Sequence, residues 1–242
     1  MSIDIREEAG VRTLHFGSDW IQGAMRIARP WALELAYTRD MMLALLFAEQ
    51  EALVFPERVL QIGLGSASLA KFIHRYCPQT IQTIVEIDPA VRAVARQFFK
   101  LPEESRQLKV LIDDGALFIQ KSASLFDVMF IDGFDTNAKA GALETCPFYQ
   151  CCRARLAPGG ILAINVVGGQ RRMQHCARQL NLAFDQHTLS LPACDSGNRI
   201  LFAFSTAVPK LQFSQLRTKA AALKKRSGLD LLPTVTRMEQ QP

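Results

Sequence analysis

Carboxylates stand at the ends of three successive strand-like runs. Glu86 lies at the end of Ile81–Ile87, Asp113 and Asp114 follow Lys109–Ile112, and Asp132 follows Asp127–Ile131, with Asp135 three residues further on. Short apolar runs bounded by polar residues and glycine read as buried strands. In a parallel sheet the carboxyl ends of neighbouring strands share one edge. Carboxylates gathered there repel one another, so they call for hydrogen-bond donors or cations between them. A ribose diol, an adenine amino group and an ammonium or sulfonium centre satisfy Glu86, Asp114 and Asp132 in that order. One aspartate in such a place is more simply a helix N-cap, and Asp113 is assigned that duty. Three aligned strand ends are harder to explain as three independent caps.

A glycine turn opens on the same edge. Val59–Ile62 reads as a strand, and Gly63-Leu64-Gly65 breaks it. Leu69, Phe72 and Ile73 then recur at helical spacing. Strand, glycine turn and helix form the first unit of a doubly wound sheet, whose ligands bind beyond the carboxyl ends of the strands. Gly63 and Gly65 can take backbone angles that strain other residues, and Ser66 or Ser68 can cap the helix. The third glycine of the dinucleotide fingerprint is replaced by Ser68. Glu86 lies roughly twenty residues past the glycines, the usual place for an acid that holds a ribose diol.

The elements that must position these groups alternate regularly. Strands are expected at Val59–Ile62, Ile81–Ile87, Lys109–Ile112, Asp127–Ile131 and Ile161–Val166, with helices between them. Phe184–Leu191 and Ile200–Phe204 are expected to close the sheet as an antiparallel pair. Upstream, Val11–Phe16 and Trp20–Ile27 flank Gly17-Ser18-Asp19 as a β-hairpin, and Ala32–Leu53 reads as a helix rich in Leu, Met and Ala. The expected architecture is α/β: a Rossmann-like doubly wound sheet of the methyltransferase type with a final antiparallel strand, plus a small N-terminal β-hairpin. Residues 1–28 form the hairpin element, 29–206 the nucleoside-binding catalytic domain, and 207–242 a basic helical tail.

Composition narrows the function classes. With 49% apolar and 21% charged residues, the 242-residue chain can bury one substantial core. No apolar stretch approaches the ~20 residues that span a bilayer, and the N-terminus lacks the basic and apolar regions of a secretory signal. No membrane partner and a cytoplasmic location are therefore expected. The six cysteines show no C-x-x-C pair, and the four histidines are scattered, so no metal is expected. The net charge of +5 is concentrated in the tail, where Lys210, Arg217, Lys219, Lys224, Lys225, Arg226 and Arg237 face only Asp230 and Glu239. Phe213 is the single aromatic residue interleaved with these charges. They read as a solvated helix face, and a nucleic-acid partner is not expected.

Between about Gly17 and Ser205 the sequence resembles the spermidine synthases, or polyamine aminopropyltransferases, which share the S-adenosylmethionine-dependent methyltransferase fold. The motifs that carry the resemblance are Val59-Leu60-Gln61-Ile62-Gly63-Leu64-Gly65, Val85-Glu86-Ile87-Asp88-Pro89, Asp114-Gly115, Ile131-Asp132-Gly133-Phe134-Asp135 and Leu156-Ala157-Pro158-Gly159-Gly160-Ile161-Leu162. More specific to the family are Gln22 upstream of Tyr37, the pair Asp132 and Asp135, and Leu191-Pro192 ahead of Ser196-Gly197. The resemblance implies that Glu86 holds the ribose and Asp114 the adenine. It also implies that Gln22 and Tyr37 approach the substrates and that Asp132 activates the attacking amine. Asp135 would hold an ammonium from a loop closing over the ligand. The family's aspartate in the glycine loop is Ser66 here, its histidine and glutamate are Thr38 and Arg39, and the proline of its gatekeeping loop is Thr136. Its glutamate for the far amine of putrescine is Val167, and its polyamine-contacting tyrosine aligns with Cys194.

The expected function is transfer of an aminopropyl group from decarboxylated S-adenosylmethionine to a small-molecule amine acceptor. The donor site comprises Gly63, Gly65, Glu86, Asp114 and Gly115. Gln22, Tyr37 and Asp135 serve the acceptor, and Asp132 is the catalytic group. The alternatives are an S-adenosylmethionine-dependent methyltransferase with a non-polyamine acceptor, and a non-catalytic nucleoside-binding protein. The apolar hairpin makes a homodimer plausible, as the resemblance also implies.

Overall fold

The computed structural model describes residues 2–48, 52–134, 141–194 and 197–240. An antiparallel sheet opens the chain: β1 (Asp4–Glu8), β2 (Val11–His15) and β3 (Ile21–Arg26), in that order. The expected hairpin is β2–β3, and β1 adds a third strand along its edge. A short helix α1 (Ala36–Met41) then runs into a 3-10 turn over Met42–Leu46. The main sheet comprises β4 (Arg58–Ile62), β5 (Ile81–Glu86), β6 (Leu108–Ile112), β7 (Phe126–Ile131), β8 (Leu156–Val166), β9 (Thr188–Ser190) and β10 (Arg199–Phe204). Its helices are α2 (Ser68–Tyr76), α3 (Pro89–Phe98), α4 (Gly115–Lys121), α5 (Cys146–Ala154) and α6 (Gln170–Ala183); α7 (Phe213–Ser227) and α8 (Leu232–Glu239) end the chain.

The strand order is β6-β5-β4-β7-β8-β10-β9. Strands β4 to β8 pair in parallel, while β10 lies antiparallel to β8 and to β9. From β4 the chain builds outward through β5 to β6, then returns to β7 on the other side. That reversal leaves a crevice above the carboxyl ends of β4 and β7, where ligands of such sheets bind. Because both sheet faces are covered, the central strands are apolar on both sides. Side-chain alternation sends Val128, Phe130, Ile161, Ala163, Ile200 and Phe202 to one layer and Met129, Ile131, Leu162, Ile164 and Leu201 to the other.

Three local expectations are revised. Among the described residues of Ala32–Leu53, the expected helix is confined to α1 and its 3-10 turn. Met41–Leu46 are all buried, so no amphipathic stripe distinguished helix from turn. The expected capping by Ser66 or Ser68 is absent: Ala67, in a left-handed conformation, begins α2 without a side-chain cap. Instead Ser66 Oγ and Ser68 Oγ lie 2.9 Å apart, and Ser68 Oγ donates to Ala24 O at 3.2 Å, which docks β3 on the helix start. The helix after β6 is capped by Asp114, not Asp113. Asp114 Oδ1 accepts from Ala116 N (2.7 Å) and Leu117 N (3.1 Å).

The basic tail is a packed layer as well as a charged one. Leu216, Ala220, Leu223, Leu231 and Val235 join the core over Met41–Phe47. Lys219 is buried and donates to the carbonyls of Leu46 (3.2 Å) and Ala48 (2.6 Å) at the end of the 3-10 turn. Cations are favoured at such carbonyl-rich helix ends. Asp40 accepts from Thr234 (2.7 Å) and Arg237 (2.6 Å) of α8. No helix among the described residues is long and apolar enough to cross a membrane.

Candidate active site

A cleft of about 850 Å³ opens at the reversal between β4 and β7, a size suited to a small-molecule ligand. Gln22, Tyr37, Gly63, Gly65, Glu86, Asp114, Gly115 and Asp132 all line it. Asp135, the remaining expected site residue, lies outside the described residues.

The glycine turn is shaped first by its protein neighbours. Gly63 has φ +91°, and a Cβ there would come 2.2 Å from Asp132 O. Glycine is therefore required where β4 and β7 diverge, whatever the ligand. Gly65 has φ +51°, and its Cβ position is 3.5 Å from Gln22 O, where the N-terminal sheet overhangs the turn. Gly23 on β3 allows that overhang, since a Cβ there would strike Ser66 Oγ at 2.4 Å. Gly115 likewise accommodates Ile62 Cγ2, which a Cβ would approach to 2.4 Å.

On the β5–β6 side the acids are held by backbone amides. Glu86 Oε2 accepts from Leu64 N at 2.8 Å and Oε1 from Asp88 N at 3.0 Å, which ties the glycine turn to the end of β5. Burial pushes the Glu86 carboxyl above the ordinary carboxylate range, and the amide hydrogen bonds oppose that rise. Each oxygen keeps a further lone pair for a hydroxyl donor. Asp114 uses Oδ1 as the cap of α4, and no hydrogen bond among the described residues engages Oδ2. One carboxylate thus starts a helix and still offers an acceptor to the cleft.

Asp132, directly after β7, has a donor on each oxygen. Tyr37 Oη donates to Oδ2 at 3.1 Å, and Asn165 Nδ2 donates to Oδ1 at 2.8 Å. Burial raises the Asp132 carboxyl, and these two hydrogen bonds lower it in part. Burial first, then the neighbouring Asp132 charge, raises the Tyr37 phenol well above its usual value. Tyr37 is accordingly a neutral donor. A carboxylate that is partly desolvated, held on both sides and open to a cleft is equipped to attract a cation and take its proton.

Asn165 and Asn198 also line the cleft and are absent from the sequence-based set. Asn165 could have been found as the single amide in the apolar run Ile161–Val167, at the carboxyl end of its strand. Asn198 carries no comparable signal. Val167 also lines the cleft, while Cys194 is buried and close enough to Tyr37 to act on it electrostatically. Among the described residues no group of His, Cys, Asp and Glu is arranged to hold a metal ion.

The family model described as "Spermine/spermidine synthase domain" matches residues 34–182. A polyamine aminopropyltransferase of Chromobacterium violaceum is 37% identical over 238 residues, covering 98% of this chain and 89% of that protein. A probable spermidine synthase from Corynebacterium glutamicum superposes with a TM-score of 0.73 at 20% identity, covering 94% of this chain and 91% of its own. Human methyltransferase-like protein 13, solved in complex with SAH, gives a TM-score of 0.70 at 25% identity over 80% of this chain and 93% of its own.

Proposed function

Because the chain belongs to the spermine/spermidine synthase family, we propose that its cleft binds decarboxylated S-adenosylmethionine with the adenosine over β5 and β6, and presents the aminopropyl carbon to an amine held at Asp132. The protein is a transferase of the aminopropyl-transferring type, with a sulfonium nucleoside as co-substrate. Glu86 accepts hydrogen bonds from the ribose, Asp114 Oδ2 accepts from the adenine amino group, and the Gly63–Gly65 turn lets backbone pass close to the nucleoside. Gln22 and Tyr37 border the acceptor, and Asp135 is assigned to its ammonium.

Asp132 receives the acceptor as an ammonium, since an amine with a lysine-like pKa of ~10 is mostly protonated at neutral pH. The carboxylate attracts that cation and takes its proton. The amine lone pair then forms a C–N bond to the carbon beside sulfur, and the C–S bond breaks with its electron pair going to sulfur. Methylthioadenosine leaves as a neutral thioether. The observation that carries this reading is the Asp132 carboxylate, gripped by Tyr37 and Asn165 and open to the cleft that Glu86 and Asp114 also line. Incubating the pure protein with each sulfonium donor and a panel of amines, then identifying products by mass, tests it. An aminopropylated amine with methylthioadenosine is expected; methylated products, or no product with any donor, would overturn it. A cytoplasmic location and a homodimer built through the N-terminal sheet belong to the same proposal. Light scattering on the purified protein checks the latter.

A further inference from the structure

The side chains of Asp132, Asn165 and Asn198 form one hydrogen-bonded line that crosses three neighbouring strands. Ile131 pairs with Ile164, so Asp132 and Asn165 follow side by side at the ends of β7 and β8. Ile200 of β10 pairs with Asn165, and Asn198 lies two residues before it. Alternation puts all three on the sheet face that α1 covers, in the same layer as Phe130, Ala163 and Ile200. Asn165 Nδ2 donates to Asp132 Oδ1 at 2.8 Å, and Asn198 Nδ2 donates to Asn165 Oδ1 at 2.9 Å. Asn165 and Asn198 are both buried.

The direction of this line follows from chemistry. An ionised carboxylate only accepts hydrogen bonds, so Asn165 must turn its NH2 group toward Asp132. Its carbonyl then points the other way and needs a donor, because an unpaired buried amide is costly. Asn198 supplies that donor. Were Asn165 to flip, its carbonyl would face the carboxylate and its NH2 group would face the NH2 of Asn198. The second amide therefore locks the orientation of the first. Tyr37 holds the other carboxylate oxygen, so the plane of the group is set from both sides.

We propose that Asn165, locked by Asn198, is a positioning residue that holds the Asp132 carboxylate in its working orientation toward the acceptor amine. The inference rests on the reading of Asp132 as the proton acceptor. Among the described residues Tyr37 of α1 is the titratable group hydrogen-bonded to Asp132, and Cys194 acts on Tyr37 electrostatically. Glu86, Asp88, Asp114 and Asp19 lie elsewhere around the cleft. Among the described residues only Asn165 and Tyr37 moderate the effect of burial on Asp132.

The test uses carbon-13 NMR of aspartate-labelled full-length protein, with the Asp132 carboxyl assigned by its loss in Asp132→Asn. Asn165→Leu removes a hydrogen bond to a charged group and should raise the Asp132 midpoint by about one to two pH units. Asn198→Ala leaves Asn165 in place but unlocked and should raise the midpoint by about half a unit or more. The acidic limb of kcat/KM should move with the midpoint in both variants, while affinity for methylthioadenosine stays as in the wild type. A role confined to packing would lower the melting temperature and leave the midpoint alone, which would overturn the inference. A midpoint that moves in Asn165→Leu but not in Asn198→Ala would overturn the lock. Asn198 lies in a loop, so its variant keeps the question answerable should Asn165→Leu not fold. The NMR titration needs no turnover, so a wild type inactive toward every amine counts against the functional reading alone.

Discussion

Replacing Asp132 with asparagine separates proton transfer from binding. The substitution keeps the shape of the side chain and one acceptor for Tyr37 or Asn165, but removes charge and basicity. Loss of general-base assistance typically costs about 10²–10⁴ in rate, or roughly 3–5 kcal/mol of barrier. The fold should tolerate the change. One of the two donors on Asp132 loses its acceptor, at about 1 kcal/mol, and that cost is offset by removing a carboxylate whose ionisation burial already disfavours. Nucleoside binding should survive as well. Glu86 lies two strands from Asp132 across β4, about 10 Å at the usual strand spacing, and sites so separated couple only weakly, within about twofold in affinity. The assay is release of methylthioadenosine at saturating donor, with whichever acceptor the product screen identifies. Calorimetry with methylthioadenosine and a melting curve accompany it. A turnover number within about threefold of wild type would refute the reasoning, leaving Asp132 with a structural role.

Other outcomes test neighbouring links. Glu86→Ala should weaken methylthioadenosine by about 5- to 150-fold in calorimetry, the effect of losing hydrogen bonds worth about 1–3 kcal/mol; unchanged affinity would place the ribose elsewhere. Gly63→Ala should cost several-fold more stability than an ordinary surface change, because its Cβ would sit 2.2 Å from Asp132 O at φ +91°; a wild-type melting temperature would show that β4 and β7 can separate there. Putrescine should be a poor acceptor, since Val167 in the cleft gives a distal ammonium no partner; ordinary turnover of putrescine in steady-state kinetics would contradict this. Lys71 is buried in α2, where burial first and then Lys100 lower its pKa from 10.5 to about 7. The unfolded chain then binds more protons than the folded one between about pH 7 and 10.5, so this residue makes stability rise with pH across that window, and its full penalty applies below it. Lys71→Met should raise stability at pH 6 by at least about 1 kcal/mol and flatten that rise in denaturant titrations.

The doubly wound sheet was legible because its signals are local. Val59–Ile62 and Phe126–Ile131 are mostly apolar, largely buried runs, Ile81–Glu86 is apolar at its carboxyl end, and each ends in glycine or an acid, so strand, turn and strand-end chemistry appear within a few adjacent residues. Eight of the nine expected site residues accordingly line one cleft, and the ninth, Asp135, lies outside the described residues. The segment Met41–Leu46 hid its conformation because burial on all sides erases the periodicity by which a helix is recognised.

What the tertiary structure decided depends on neighbours distant in sequence. Gly63 reads as a ligand-facing glycine until Asp132 O is found 2.2 Å from its Cβ position. Lys219 and Arg237 read as solvated charges until the carbonyl of Leu46 and the carboxylate of Asp40 are placed against them. Asn165 is a single amide in an apolar strand until β7 lies on one side of it and β10 on the other. Alternation along a strand assigns a side chain to a face of the sheet, but the order of the strands decides which partner it meets there. That order is set by packing over the whole chain, so Asp132 and the lone strand amide Asn165 stand out in the sequence while their pairing, and the part of Asn198 behind it, do not.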